Sequence, residues 1–311
     1  MQFIDKIFIA GHNGMVGSAI KKELESQGYC NILTANKNEL DLCNELQVED
    51  FFQTHKPNFV FLAAAKVGGI QANINEPFNF LFDNLKIQNN VIYSSFKNDV
   101  KKLCFIGSSC IYPKNASQPI KEEYLLNGPL EPTNEGYALA KITGIKLGQY
   151  LSKQFGFNVI NPMPCNLYGP NDSFHPVNSH VLSSLVRKFS DAIHNNDDCV
   201  NVWGAGIAKR EFMHVEDLSR AIIFLMNNYN KPDIINVGLG TDISIKELAE
   251  KIANITGFKG SINWDKTKPD GMLKKCLDVT KIKELGFSSS ITLDEGITQM
   301  INIYKKQIEK I

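Results

Sequence analysis

A tyrosine and a lysine four residues apart, Tyr137-Ala-Leu-Ala-Lys141, fall at the start of a helical stretch. Positions i and i+4 share one helix face, so the phenol and the ammonium point into the same space. An ammonium beside a phenol favours the phenolate and lowers the tyrosine pKa toward working pH. That pairing suits proton donation to a ketone oxygen as hydride arrives. The pattern is common and by itself fits an ordinary surface pair. Its force comes from Gly107-Ser108-Ser109-Cys110, directly after a predicted strand. In an open parallel sheet, ligands bind beyond the carboxyl ends of the strands, where Ser108 can donate a hydrogen bond to the same carbonyl. Serines at a strand end also serve local turns, but with Tyr137 and Lys141 downstream the set favours catalysis at a carbonyl.

The hydride needs a carrier, and the first strand runs straight into Gly11-His-Asn-Gly14-Met-Val-Gly17. One glycine permits the tight strand-to-helix turn, another lets backbone approach a pyrophosphate, and the third packs helix on strand. The following helix offers free N–H groups and a positive dipole end to phosphates. A glycine trio alone is weak; its place at the first strand–helix junction of an alternating chain gives it weight. At the end of the second predicted strand stands Lys37, with no acid beside it. An acid there would hold a ribose 2′-hydroxyl, whereas a cation accepts a 2′-phosphate, so the sequence points to NADP over NAD. Lys37 also fits a solvated surface lysine.

Apolar runs at Lys6–Ala10, Asn31–Ala35, Phe59–Ala63, Lys102–Gly107 and Val159–Pro164 are the predicted strands. Helical patterns at Val16–Gln27, Glu45–Thr54, Phe80–Lys97 and Glu135–Phe155 lie between them. Strands alternating with helices predict an α/β fold with a doubly wound parallel sheet of Rossmann type. The 311 residues exceed what one core usually holds. The expected division is 1–165, with about 205–240 returning, as dinucleotide-binding domain. About 166–204 and 241–311 then form a smaller α/β substrate domain. Short strands are predicted at Val200–Trp203, Glu211–His214 and Ile234–Val237, and a helix at Val181–His194. Ser244–Glu247 and Thr292–Glu295 read as capping boxes that open two further helices.

Lys plus Arg and Asp plus Glu are both 33, so no net charge draws the chain to nucleic acid or an anionic membrane. No run approaches the ~20 apolar residues of a membrane span. Seven unpatterned cysteines and a first segment without a signal-peptide core predict a soluble cytoplasmic protein with no metal site.

The segments IFIAGHNGMVGSAI, LAAAKVGGIQAN, GSSCIYPK, LEPTNEGYALAK, LYGPNDSFHPVNSHV, VWGAGIAKREFMHVED and KPDGMLKKCLDVT resemble the GDP-L-fucose synthases. These are bifunctional GDP-4-keto-6-deoxy-mannose epimerase/reductases of the extended short-chain dehydrogenase type. GSSCIYP and FHPVNSHV are far more specific than glycine spacing. The resemblance implies NADP(H) as cofactor and a GDP-linked 4-keto sugar as substrate. Tyr137 would be the acid for reduction at C4, with Ser108 and Lys141 completing the triad and Lys141 also holding the nicotinamide ribose. Cys110 and His180 match the acid–base pair for epimerisation at C3 and C5, carbons whose protons the C4 ketone acidifies.

The same resemblance places Gly11, Asn13, Gly14, Met15, Val16, Gly17, Lys37, Asp41, Leu42, Ala63, Ala64, Pro164, Asn166, Leu167 and His180 around the dinucleotide. It gives Lys188, Trp203, Arg210 and Asp270, with Ser108 and Asn166, to the nucleotide-sugar. Arg210 suits a diphosphate; Trp203 packs on sugar or base, or fills the smaller core. A homodimer through the helices at Phe80–Lys97 and Glu135–Phe155 is the expected assembly. Asn13 stands where the family often carries arginine, Cys165 where it carries threonine, and Gly136 where it carries proline. Reduction only, on another GDP-4-keto sugar such as a heptose, is therefore an open alternative. A 4-epimerase, a dehydratase and a non-enzymatic NADP sensor are further ones. Ser109-Cys110 in place of acidic residues after Ser108 counts against the dehydratase.

Overall fold

In the computed structural model, which describes residues 1–176, 179–268 and 272–309, the first half alternates as the periodicity predicts. Strand β1 (Ile7–Ala10) leads to helix α1 (Met15–Ser26), then β2 (Ile32–Leu33), α2 (Glu45–His55) and β3 (Phe59–Leu62). Next come α3 (Ile70–Asn75), α4 (Pro77–Lys97), β4 (Lys102–Phe105), α5 (Glu135–Phe155) and β5 (Val159–Pro164). Helix α4 begins three residues before its expected start because Pro77 occupies its first turn, where a missing N–H costs nothing.

With β10 (Ile234–Val237), five of these strands build a parallel sheet in the order β2-β1-β3-β4-β5-β10. The order reverses between β1 and β3, so loops leaving the carboxyl ends of those strands diverge and open a crevice. β1, β3, β4 and β5 are buried throughout, as expected for strands covered on both faces. Helix α7 (Val215–Asn228), absent from the sequence expectations, packs on α1 and on β4 and β5.

The remaining elements surround a second core. β6 (Asn166–Tyr168) pairs in parallel with β9 (Phe212–His214), and β7 (Cys199–Trp203) with β12 (Ser261–Asp265). β8 (Lys209–Arg210) lies between β11 (Ile243–Ser244) and β13 (Lys274–Lys275). Helices α6 (Val181–Asn195), α8 (Ile245–Thr256) and α10 (Leu293–Ile308) converge on Tyr168, Phe189, Leu248, Ile252, Ile297 and Met300. A short helix, α9 (Thr280–Glu284), packs on β10.

Both capping boxes form: Ser244 with Glu247 starts α8, and Thr292 with Glu295 starts α10. Each satisfies two orphan backbone donors, stabilising its helix by about 1 kcal/mol. Among the described residues no helix is long and apolar enough to cross a membrane.

Candidate active site

The glycine loop has the division of labour that its spacing predicts. Gly11 sits at φ 90°, and a Cβ there would lie 2.6 Å from the Ala64 backbone nitrogen at the end of β3. A Cβ on Gly17 would strike the Gly11 carbonyl. Gly14 differs: its added Cβ would meet nothing nearer than the Gly11 oxygen at 3.5 Å. Space is therefore left over the N-terminus of α1, whose cap residue offers no side-chain hydrogen bond and whose first turn carries no acid. The free N–H groups and this open glycine fit a dinucleotide pyrophosphate. Asn13, Met15 and Val16 complete the loop.

Around it, Lys37 is exposed on a turn that Asn36 and Glu39 close on each other, with Asn36 N donating to Glu39 Oε2 at 2.8 Å. Asp41 is engaged by its own loop, accepting from Cys43 N at 3.0 Å, while the Leu42 carbonyl accepts from Asn90 at 2.9 Å. Ala63 and Ala64 follow β3, with Ala63 N bonded to Ala10 O at 3.0 Å. Pro164 ends β5, and Asn166 and Leu167 lie in β6. All of these line the carboxyl edge of the sheet.

Beyond β4 the chemistry-bearing side chains gather. Ser108 caps a short 3-10 turn, Ser109–Ile111, by accepting from Cys110 N at 3.3 Å. That bond fixes serine and cysteine side by side. Helix α5 packs on this turn, bringing Lys141 to donate to the Ile106 carbonyl at 2.8 Å and to sit 5.8 Å from the centre of the Tyr137 ring. Burial pushes the Lys141 ammonium down to about 8. Tyr137 departs from its expected tuning. Burial, reinforced by the neighbouring Cys110, raises the phenol well above its ordinary range. Desolvation disfavours phenolate, and the ammonium stands over the ring rather than at its oxygen. The result is a neutral phenol, the form a proton donor requires.

Burial also raises the Cys110 thiol, against the pull of Lys275, Ser108 and Lys141. Lys275 is a member of the cluster that the sequence reading did not single out. The parallel register sets it beside Arg210 on the adjacent strand, and its charge acts on Cys110, Cys165 and Glu211. Glu211, 1% exposed, fixes this corner by accepting from the backbone N–H groups of Leu239 at 2.5 Å, Gly240 at 2.7 Å and Leu277 at 2.9 Å. Its carbonyl accepts from Asn166 at 2.9 Å. Neither residue carries a local motif; only the pairing of distant strands brings them here.

The residues expected at the nucleotide-sugar are more dispersed. Arg210 donates to Met272 O at 2.5 Å and Lys209 O at 2.9 Å. Lys188 on α6 donates to Asn201 O at 2.8 Å. Trp203 is 62% exposed with the Lys268 ammonium 5.6 Å from its ring, which excludes the core-filling alternative. It borders a cleft of about 550 Å³ with Asn201, Asn263 and Trp264. Asp270 lies outside the described residues. His180 caps the start of α6, and the charged partner acting on it is Asp172.

A doubly wound sheet with an open phosphate loop, and a tyrosine, a buried lysine and a turn-capping serine gathered beyond β4, is the arrangement of a nucleotide-cofactor oxidoreductase of the short-chain dehydrogenase kind. Residues 7–238 match the model of the NAD dependent epimerase/dehydratase family, and the chain belongs to that family. It is 52% identical over 303 residues to a putative GDP-L-fucose synthase 2 of Arabidopsis thaliana, covering 97% of this chain and 92% of that one. It is 48% identical to the GDP-L-fucose synthase of Escherichia coli, with 94% of each chain covered. Among solved structures, a GDP-mannoheptose C4 reductase from Campylobacter jejuni with NADP bound aligns with a TM-score of 0.90. The identity there is 37%, and 98% of this chain and 99% of that one are covered.

Proposed function

We propose that this protein reduces the C4 ketone of a GDP-linked 4-keto-6-deoxy-hexose with NADPH, after inverting C3 and C5 of the same sugar. The carrying observation is the cluster of Ser108, Cys110, Tyr137 and Lys141 at the carboxyl end of β4, on the same edge of the sheet as the open phosphate loop that follows β1. Gly11 to Gly17 would hold the pyrophosphate of NADPH, Lys37 would meet its 2′-phosphate and Lys141 would hold the ribose beside the nicotinamide; the cofactor would supply the hydride for C4. Ser108 donates to the C4 oxygen, and Tyr137 gives that oxygen its proton.

Before reduction, Cys110 gives its thiol proton to solvent, a loss favoured by Lys275 and Lys141 against burial, and the thiolate removes a proton from C3 or C5 as the electrons pass onto the C4 oxygen as an enolate. His180 returns a proton to the opposite face. Arg210 and Lys275 suit the GDP diphosphate, and Trp203 with Lys188 the base and sugar. In this reading residues 1–165 with about 205–240 carry the cofactor, and the rest carries the sugar nucleotide. The names of the relatives support GDP-L-fucose synthesis as the main reading.

A second reading, reduction alone on a GDP-linked heptose, is favoured by the likeness to the heptose reductase and by Cys165 and Gly136 near the site. Exposed Phe78, Phe82, Leu139 and Tyr150 on α4 and α5 support a homodimer through those helices. Seven free thiols support a cytoplasmic setting.

The test incubates the protein with NADPH and either GDP-4-keto-6-deoxy-mannose or a GDP-4-keto-heptose in deuterated water, with products read by NMR. GDP-fucose carrying deuterium at C3 and C5 is the expected product. Oxidation of NADPH with neither sugar overturns both readings. Tyr137→Phe should lower reduction by about 10²–10⁴-fold, the usual worth of a placed proton donor.

A further inference from the structure

The loop that enters α6 contains a side chain that no step above uses. Asp172 has a side chain only 4% exposed, although its loop faces solvent. Its Oδ1 accepts from Ser173 N at 2.8 Å, and the Ser183 hydroxyl, one turn into α6, donates to Oδ2 in a short bond. Both oxygens are thus fixed from two directions. The Nδ1 of His180 lies 3.5 Å from Oδ1, and the His180 ring is about half exposed. The next residue back is fixed too: Asn171 donates to Ser18 Oγ on α1 at 2.9 Å, so the loop is clipped to the helix that cradles the phosphates.

We propose that Asp172 is a positioning residue for His180, holding Nδ1–H so that Nε2 carries the proton delivered to the sugar carbon. The inference rests on the epimerisation reading above. A carboxylate on one imidazole nitrogen fixes the tautomer and the ring plane and leaves the other nitrogen to exchange protons. The balance is simple. The Cys110 thiolate takes one proton from the carbon, His180 Nε2–H gives one to its other face, and solvent restores both groups.

Asp172 is the charged group that faces His180 among the described residues, and its hydrogen bond raises the imidazole pKa against the effect of burial. The first turn of α6 carries no acid, and the positive end of that helix opposes protonation. His175 contributes its backbone carbonyl, which accepts from Ser179 N at 3.3 Å. Asp172 is therefore the group that favours the imidazolium an acid requires.

The experiment titrates the His180 ring in ¹⁵N-histidine-labelled full chain, wild type against Asp172→Asn, with His180→Gln to assign the resonance. In the wild type the ring should titrate above the ordinary imidazole range; in Asp172→Asn it should titrate at lower pH than in the wild type. In parallel, the rate of deuterium entry at C3 and C5 is divided by the rate of reduction of an already epimerised 4-ketone. That ratio should drop at least tenfold in Asp172→Asn, and its basic limb should move to lower pH.

An unchanged His180 titration overturns the proposal. If Asp172→Asn fails to fold, Asp172→Ser, which also removes the charge, should lower the His180 titration; no shift there overturns it equally. Wild-type product without deuterium removes the epimerisation reading and with it the delivery step. The histidine titration still decides whether Asp172 governs His180.

Discussion

Two lysines mark the two ends of strand β4, and they answer the same physical problem differently. Lys102, the first residue of β4, is 3% exposed, and Lys141 from α5 is 4% exposed at the carbonyl of Ile106, just past the strand's last residue. Burial pushes both ammonium groups down to about 8. Lys102 is saturated. It donates to the carbonyls of Met226 at 2.7 Å and Tyr229 at 2.6 Å and to Asn230 Oδ1 at 3.0 Å, with Leu225 O at 3.3 Å. Met226 lies in the last turn of α7 and Tyr229 is its cap residue, so these bonds serve the helix end, and a cation also suits its negative pole. Lys141 has one carbonyl and the face of Phe105, 4.8 Å away. Its other donors remain for a ligand. A buried ammonium with every donor used is structure; one with donors to spare, at the carboxyl edge of a parallel sheet, is chemistry.

The comparison breaks if the two lysines respond alike to the same change. Lys141→Met should lower kcat/KM for reduction by about a thousandfold, through loss of ribose and proton-donor support. Its unfolding free energy in urea should stay within about 1 kcal/mol, because one carbonyl is left and an unpaired charge is relieved. Lys102→Met should invert that pattern: a loss of about 3 kcal/mol in urea unfolding, as buried carbonyls lose their donor, with kcat/KM changed less than twofold wherever the variant is folded.

A smaller effect sharpens the contrast. The working form of Lys141 is the protonated one, populated below about 8. Reduction of an already epimerised substrate should therefore be level below that pH and fall about tenfold per unit above it. Tyr137, raised by burial, stays a phenol through this range. The alkaline limb should vanish in Lys141→Met and persist in Lys102→Met, as initial rates of NADPH oxidation will show.

The legibility of these features in the sequence follows the distance over which each is decided. Gly11, Gly14 and Gly17 are readable because the positive φ of Gly11 and the packing of Gly17 on its carbonyl are decided within seven residues, although Ala64 also presses on Gly11 from β3. The capping boxes at Ser244 and Thr292 were readable for the same reason. Helical spacing picks out Tyr137 and Lys141 but predicts a lowered phenol where burial raises it, because spacing reports charge proximity and not desolvation. Lys275 and Glu211 could not be found locally; strands more than sixty residues apart meet to place them. Asp172 gave one signal, its eight-residue spacing to a histidine already singled out, and nothing in that spacing announced that Ser183 would bind its second oxygen.

Glu211 carries a consequence for how this molecule can vary. Its grip on the amide of Leu277 sets the phase of the short strand that ends at Lys275. Side chains on a strand alternate between faces, so a slip of one position would turn Lys275 away from Arg210 and away from the thiol of Cys110. Exposed residues such as Trp203 can therefore change without disturbing this corner, whereas an insertion or deletion between Lys275 and Leu277 would dismantle it at a stroke.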